Sequence, residues 1–282
     1  MTYSCFDVQI DNNIAHIILN RPEKRNSMVP AFWNELPKIV RDIDENSKAR
    51  VIVLSSTGPH FSSGLDVASF VEPEIADPAA KKAAEIQAGA NFNGAVKNMQ
   101  GTFTVLQECR LPVLAAVQGG CIGGGVDLIT ACDMRFATED AFITIFETNI
   151  GMTADVGTFP RITKLIADGL ARELAYTGRR MHADEGKTAG LFNNVYKDHE
   201  AMMAAVMKMA AEIASKAPLA IMGCKRMMNY SQNHTVEDSL DYIAIWNASM
   251  LQRDEIFEAM KANQEKRQGE FVDLPPIRKN IG

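Results

Sequence analysis

The chain has 282 residues, of which 46% are hydrophobic and 23% charged, the make-up of an ordinary folded protein, so disorder is excluded as its main state. Its net charge of −6 speaks against a general nucleic-acid binder, and no apolar run approaches the roughly 20 residues of a spanning helix. Five cysteines, at 5, 109, 121, 132 and 224, are odd in number and form no CxxC pair, so they read as small core residues, with neither a disulfide framework nor a zinc site indicated.

Residues 5–20 alternate as a β-hairpin, with Asp11-Asn12-Asn13 at the turn. Asn20-Arg21-Pro22 breaks the pattern, and Pro30 opens a helix to about Glu45, where Pro37 predicts a kink or a later start. Val51-Ile52-Val53-Leu54 reads as a buried parallel strand, followed by a loop to Ser63. A long helical stretch spans about 76–110, and Val113 to Val117 is the next buried strand. Glycines at 119, 120 and 123–125 precede a helix expected near Val126, and strands are expected at 134–137 and 141–146. Beyond Ala154 the chain is mostly helical, with one short strand near Asn194, helices over about 198–216, 218–230 and 235–263, and a polar tail over 268–282 that drapes across a surface. Strand, helix, strand, glycine loop and helix in this order predict βαβ units and a parallel sheet.

The glycine cluster Gly119-Gly120-Cys121-Ile122-Gly123-Gly124-Gly125 holds most of the chemical content. Between a buried strand and a helix it exposes backbone N–H groups at a helix N-terminus, a place for an anion or a developing oxyanion. It fits neither a P-loop nor a dinucleotide fingerprint, and tight helix–strand packing explains glycines equally well. Three acids follow. Asp127 lies in the first turn of the helix, Glu147 after a strand, and Asp155 before Val156-Gly157. Each has a structural explanation, as a helix-dipole partner, a solvated strand end and an N-cap. Their neighbours Ile145, Phe146, Ile150, Met152 and Phe159 are apolar, and such surroundings raise carboxyl pKa values and favour acid–base work. His60-Phe61-Ser62-Ser63-Gly64-Leu65-Asp66, following the 51–54 strand, is a candidate second oxyanion element at the same sheet end.

Asn20-Arg21-Pro22-Glu23-Lys24-Arg25-Asn26-Ser27, Phe61-Ser62-Ser63-Gly64-Leu65-Asp66, and Gly123-Gly124-Gly125-Val126-Asp127-Leu128 with Ala131-Cys132-Asp133 together resemble the crotonase (enoyl-CoA hydratase/isomerase) superfamily over about residues 5–265. The resemblance implies an α/β fold, a crotonase-like spiral of ββα turns with a C-terminal helical section. Residues 1–200 would form the core with the CoA site, and 201–282 a helical trimerisation or lid section. It implies homotrimers or dimers of trimers and an acyl-CoA substrate, with coenzyme A part of that substrate and no further cofactor or metal. The backbone N–H groups of Leu65 and Gly124 match the oxyanion hole. Ser63 matches a carbonyl that meets the adenine, and Lys24 and Arg25 match a segment near the CoA phosphates. Gly64, Asp66 and Gly125 belong to the same binding segments.

The trio Asp127, Glu147 and Asp155, with Ala154-Asp155-Val156-Gly157-Thr158, resembles the Δ3,5-Δ2,4-dienoyl-CoA isomerases within that superfamily. Glu147 would then take a proton from C2, Asp155 return one at C6, and Asp127 orient its neighbours or hold their protonation states. Three other readings remain: a hydratase using Asp127 and Glu147 on water, a thioester hydrolase, and a non-catalytic CoA-binding relative. The histidines show no ligand spacing, and Lys225-Arg226 reads as a solvated pair or a CoA-phosphate contact at a subunit boundary. With no signal peptide and no peroxisomal address at Arg278-Lys279-Asn280-Ile281-Gly282, a cytoplasmic protein is expected.

Overall fold

The computed structural model describes residues 2–70 and 75–278. The expected hairpin is present: β1 (Phe6–Asp11) and β2 (Ile14–Leu19) pair antiparallel, from Phe6↔Leu19 to Asp11↔Ile14. Asn12 and Asn13 turn it with φ of 49° and 62°, a left-handed pair that suits a two-residue hairpin and that asparagine tolerates.

α1 (Pro30–Glu45) buries Phe32, Leu36, Ile39, Val40 and Ile43, and Pro37 neither ends it nor delays its start. A proline there withholds the N–H that would bond the Trp33 carbonyl one turn earlier. The hydroxyl of Thr102 donates to that carbonyl instead, at 3.1 Å. Thr102 belongs to α2 (Pro78–Glu108), so the two helices are tied at the point where the proline opens the ladder.

From β3 (Val51–Ser56) onward each turn of the chain repeats one plan. A strand enters a large sheet, a short extended piece enters a smaller layer, and a helix closes the turn. β3 is followed by the bridging residues Ser62 and Leu65 and then by α2. β4 (Val113–Val117) is followed by β5 (Gly120–Ile122) and α3 (Gly124–Thr130). β6 (Met134–Thr138) is followed by β7 (Phe142–Thr144), α4 (Thr158–Ile162) and α5 (Asp168–Thr177). β8 (Met181–His182), α6 (Ala183–Thr188) and β9 (Asn194–Tyr196) complete the spiral. The large sheet runs β1-β2-β3-β4-β6-β9, parallel except at β1, and the small one runs β5-β7-β8. Parallel bridges from Met28 to Leu65 and from Ser62 to Cys121 extend the small layer toward the first turn. This is the ββα spiral the sequence predicts.

The large sheet is covered on both faces, which explains the apolar runs in β3 and β4. On one face α7 (His199–Ala214) lays Met202, Val206 and Ala210 over Val53, Leu114 and Phe136. On the other, the main core gathers α1, the end of α2 and the small layer. The C-terminal section continues with α8 (Pro218–Ser231), α9 (Val236–Met250) and α10 (Arg253–Glu265). The single helix expected over 235–263 is therefore two, parted where Leu251 becomes extended at ψ 122°. Among the described residues no helix is long and apolar enough to cross a membrane.

Lys225 is neither solvated nor free for a phosphate. It is 5% exposed, donates to the carbonyls of Leu106 and Leu111 at 2.7 Å each, and pairs with Asp133 at 2.8 Å. It pins α8 to the corner between α2 and β4. The described part of the tail does drape as expected. Arg50 holds Asp273 and the Phe271 carbonyl, Arg110 holds the Pro275 carbonyl, and Leu274 is buried. Residues 279–282 lie outside the described residues.

Thr102→Val should leave the Trp33 carbonyl buried without a donor, lowering unfolding free energy by about 1–3 kcal/mol in urea at fixed protein concentration. Thr102→Ser should retain most of the stability, and equal losses in both variants would refute the hydrogen-bond account.

Candidate active site

Two backbone N–H groups are delivered to one point by the way the short segments pair. A parallel bridge uses the neighbours of one residue and leaves that residue's own N–H pointing away. At the Met28–Leu65 bridge, Met28 N–H donates to Gly64 O at 2.8 Å and Asp66 N–H to Met28 O at 3.1 Å. The Leu65 N–H therefore faces the next turn of the spiral, where α3 begins. Gly123 enters that helix at φ 51°, its own N–H held by Thr144 O at 3.0 Å. Gly124 is the first helical residue, so its N–H has no acceptor within the helix. The two sites are close: a Cβ placed on Gly124 would lie 3.8 Å from Leu65 N and 3.0 Å from Met28 Sδ.

Gly64 makes this approach possible. Its φ is +78°, and a Cβ there would lie 2.6 Å from Ile122 O and 3.1 Å from Gly124 N. Buried Ser62 braces the same loop, donating to Asn26 O at 2.8 Å and accepting from Gly64 N–H at 3.1 Å. Asn26 is buried in turn, giving its amide to the carbonyls of Thr57 and His60. His60 accepts from Gly120 N–H at 3.0 Å, a structural duty that matches the absence of any ligand spacing.

The N–H pair opens into a cavity of about 200 Å³, which Ser63, Glu147 and Asp155 also line. Trp33, Met99, Ile122, Ile150 and Met152 form much of its apolar wall. Glu147 begins a 3-10 turn, Glu147–Ile150, that ends at left-handed Gly151. Its Oε1 lies 3.1 Å from where a Cβ on Gly123 would stand, and its Oε2 is buried without a partner. Burial raises the Glu147 pKa, and the charge of Asp155 adds to the rise against two opposing backbone hydrogen bonds. Asp155 does not cap α4; that place is taken by Gly157, with no side-chain cap. The backbone carbonyl of Asp155 accepts from Gln100 Nε2 at 2.7 Å, which ties its turn to α2.

Asp127 is withdrawn from the cavity. It is fully buried within α3 and accepts the Thr158 N–H on Oδ1 at 2.6 Å, while Oδ2 has no partner. Burial pushes its pKa to about 7; its contact with Thr158 and the charge of Arg161 oppose the rise, and the Glu147 charge adds to it.

Lys24, Arg25, Asp66 and Gly125 lie outside the cavity lining. Lys24 and Arg25 are exposed on the 3-10 turn Pro22–Lys24 and its cap, and Arg25 O accepts from Ser63 N–H at 2.9 Å. Asp66 accepts the Ser27 hydroxyl at 2.9 Å and so clamps the loop from outside the cavity lining. Gly125 also stays out of the lining; a Cβ there would press on Cys121 Sγ at 3.2 Å, so it serves packing. Trp33, Met99 and Gln100 were not singled out from the sequence. Trp33 and Met99 sit on helices whose apolar positions all read as core, and Gln100 acts through one backbone carbonyl. Among the described residues no three His, Cys, Asp or Glu side chains group as a metal site.

Comparison with known proteins gives a consistent picture. The sequence profile of the family described as Enoyl-CoA hydratase/isomerase matches residues 9–274. The chain is 44% identical over 266 residues to the mitochondrial Delta(3,5)-Delta(2,4)-dienoyl-CoA isomerase of Mus musculus, covering 94% of this chain and 80% of the mouse one. It is 38% identical over 264 residues to the peroxisomal protein of the same description in Arabidopsis thaliana, covering 94% of each. Among solved structures, the enoyl-CoA hydratase from Bacillus anthracis superposes with a TM-score of 0.83 at 27% identity, covering 95% of this chain and 99% of that one. The mitochondrial and peroxisomal relatives overturn the cytoplasmic expectation.

The raised Asp127 pKa fixes the sign of one pH effect. Between about pH 4 and 7 the folded protein holds a proton on Asp127 that the unfolded chain has released, so this group's contribution to stability falls as pH rises. Asp127→Asn should therefore gain Tm relative to the parent between pH 5 and pH 8. A Tm difference flat across that range would refute the buried, late-titrating carboxyl.

Proposed function

The chain belongs to the enoyl-CoA hydratase/isomerase family, and we propose that it is a Δ3,5-Δ2,4-dienoyl-CoA isomerase acting in fatty acid β-oxidation. One observation carries the choice within the family: Glu147 and Asp155 share the cavity with the two free N–H groups, while Asp127 stands behind it.

The substrate thioester oxygen lies against the N–H groups of Leu65 and Gly124. Glu147 removes a proton from C2, and the electron pair spreads over the dienolate to the thioester oxygen. Asp155 then gives a proton to C6, which leaves double bonds at C2 and C4 and restores the carbonyl. The two N–H donors lower the barrier by about 3–4 kcal/mol each, the scale measured for such donors elsewhere. One carboxyl cannot reach both ends of a conjugated diene, so two are needed, one ionised and one protonated. The Asp155 charge adds to the rise of the Glu147 pKa, so double ionisation of the two is disfavoured. Proton transfer alone calls for no metal or redox cofactor, and coenzyme A enters as part of the substrate.

The hydratase reading needs Asp127 and Glu147 side by side on a water. A carboxyl absent from the cavity lining and committed to the Thr158 N–H is poorly placed for that. The exposed Lys24 and Arg25 are assigned to the CoA phosphates, and Ser63, in the cavity lining, to the adenine. Residues 1–200 carry this site, and 201–282 carry subunit contacts in a homotrimer or dimer of trimers. Leu240, Ile245, Phe257 and Met260, each more than 60% exposed on α9 and α10, support the assembly. Light scattering should give three or six chain masses, and a monomer at micromolar concentration would refute it.

The direct test of the reaction is a diode-array trace with 3,5-octadienoyl-CoA beside a 2-enoyl-CoA. The conjugated 2,4-dienoyl band should grow, and Asp155→Asn should slow it by about 10²–10⁴-fold. Silence toward the diene with rapid loss of 2-enoyl absorbance would make the protein a hydratase.

A further inference from the structure

A closed polar cluster lies behind the cavity, and the two-carboxyl shuttle does not use all of it. Seven buried side-chain N or O atoms lack a hydrogen-bond partner among the described residues, and four of them belong to Asp127, Glu147, Thr158 and Arg161. Such atoms are rare in folded proteins, so each calls for an explanation. Thr158 N–H joins Asp127 to the start of α4. Arg161, in the same helix, curls back over its own N-terminus, and its Nη1 fills the place where a Cβ on Gly157 would stand.

The other side of this guanidinium is held by α2. Arg161 Nε donates to Gln107 Oε1 and Nη2 to Thr104 Oγ1, both at 3.1 Å. Gln100, on the same face of α2, holds the Asp155 carbonyl at 2.7 Å. Residues 100, 104 and 107 follow the four-then-three spacing of one helical face. One polar stripe on α2 therefore grips both ends of the segment from Asp155 to Arg161. The acceptors on Arg161 are neutral, so its charge is not cancelled by contact. The ionisable groups that act on it are Asp127 on α3, Cys132 just beyond the end of that helix, and Glu108 on α2. Asp127 in turn faces Glu147, and Glu147 faces Asp155.

We propose that Arg161 is a positioning residue for the isomerisation, latching the Asp155-bearing turn to Thr104 and Gln107 of α2 and presenting a fixed positive charge to the buried Asp127 carboxyl. The latch holds the C6 proton donor at a set distance from Glu147. The charge keeps part of the acid cluster ionised at neutral pH. This rests on the isomerase reading for its kinetic consequences but not for its electrostatic ones.

The test compares Arg161→Met, Arg161→Lys and Gln107→Leu in the full-length protein. Arg161→Met should lose about 10²-fold in kcat on 3,5-octadienoyl-CoA, the scale of a displaced catalytic group, with KM within about twofold. Its pH–rate profile should move to higher pH, because removing a positive charge raises the proton affinity of the coupled carboxyls. Arg161→Lys should restore the profile but only part of kcat, and Gln107→Leu should lower kcat with the profile unmoved. An Arg161→Met profile that superposes on the parent, or a loss confined to KM, overturns the proposal.

A second measurement does not depend on the reaction. The pH at which Asp127 titrates, read from the Tm difference between each protein and its Asp127→Asn derivative, should rise in Arg161→Met and return in Arg161→Lys. An unmoved midpoint overturns the charge role even if the parent proves not to be an isomerase. Failure of the parent on the diene, with the midpoint shifted as expected, sinks only the isomerase reading.

Discussion

The site depends on a rule of parallel β pairing: a bridged residue lends its neighbours' polar groups to the ladder and keeps its own N–H for the far side. Met28 takes Gly64 O and Asp66 N–H, so Leu65 N–H is left facing the following turn of the spiral. One turn later the same geometry would be wasted were a helix not starting there with an acceptorless first N–H at Gly124. The glycines at 64 and 123, the Ser62 and Asn26 braces and the Gly125 packing contact all follow from bringing two backbones this close.

The acids are sorted by what surrounds them. Asp127 is fully buried, with a raised pKa and one strong N–H contact, and it does not line the cavity. Glu147 keeps one oxygen beside Gly123 and the other without a partner, an ionisable group in apolar company. Asp155 rides on a turn whose position is fixed from outside by α2. Three carboxyls within thirty residues thus acquire different characters from burial and tethering, with no difference in intrinsic chemistry.

Much of this was legible in the chain. The Asn12-Asn13 turn, the apolar runs of β3 and β4 and the glycine cluster each carry a local signal that tertiary packing does not override. The three acids could be named, but not their separation into cavity and support, because that depends on how α3 lies against Thr158. Pro37 misled, since the donor that repairs the helix comes from residue 102. β8 is two residues long, too short for any periodicity, and the break between α9 and α10 has neither glycine nor proline to mark it. Lys225 looked like half of a solvated basic pair because its three oxygen partners come from distant parts of the chain. Cellular address was the poorest inference, since the mitochondrial and peroxisomal relatives contradict it.

The Trp33–Thr102 tie bears on how such a site can diversify. Trp33 and Met99 form part of the cavity wall, yet the link that sets the spacing of their helices runs through a main-chain oxygen and a hydroxyl outside the cavity lining. Wall side chains can therefore be exchanged for larger or smaller ones without loosening the frame that holds them. The width of the cavity can change through these side chains while the backbone that presents the Leu65 and Gly124 N–H groups is untouched.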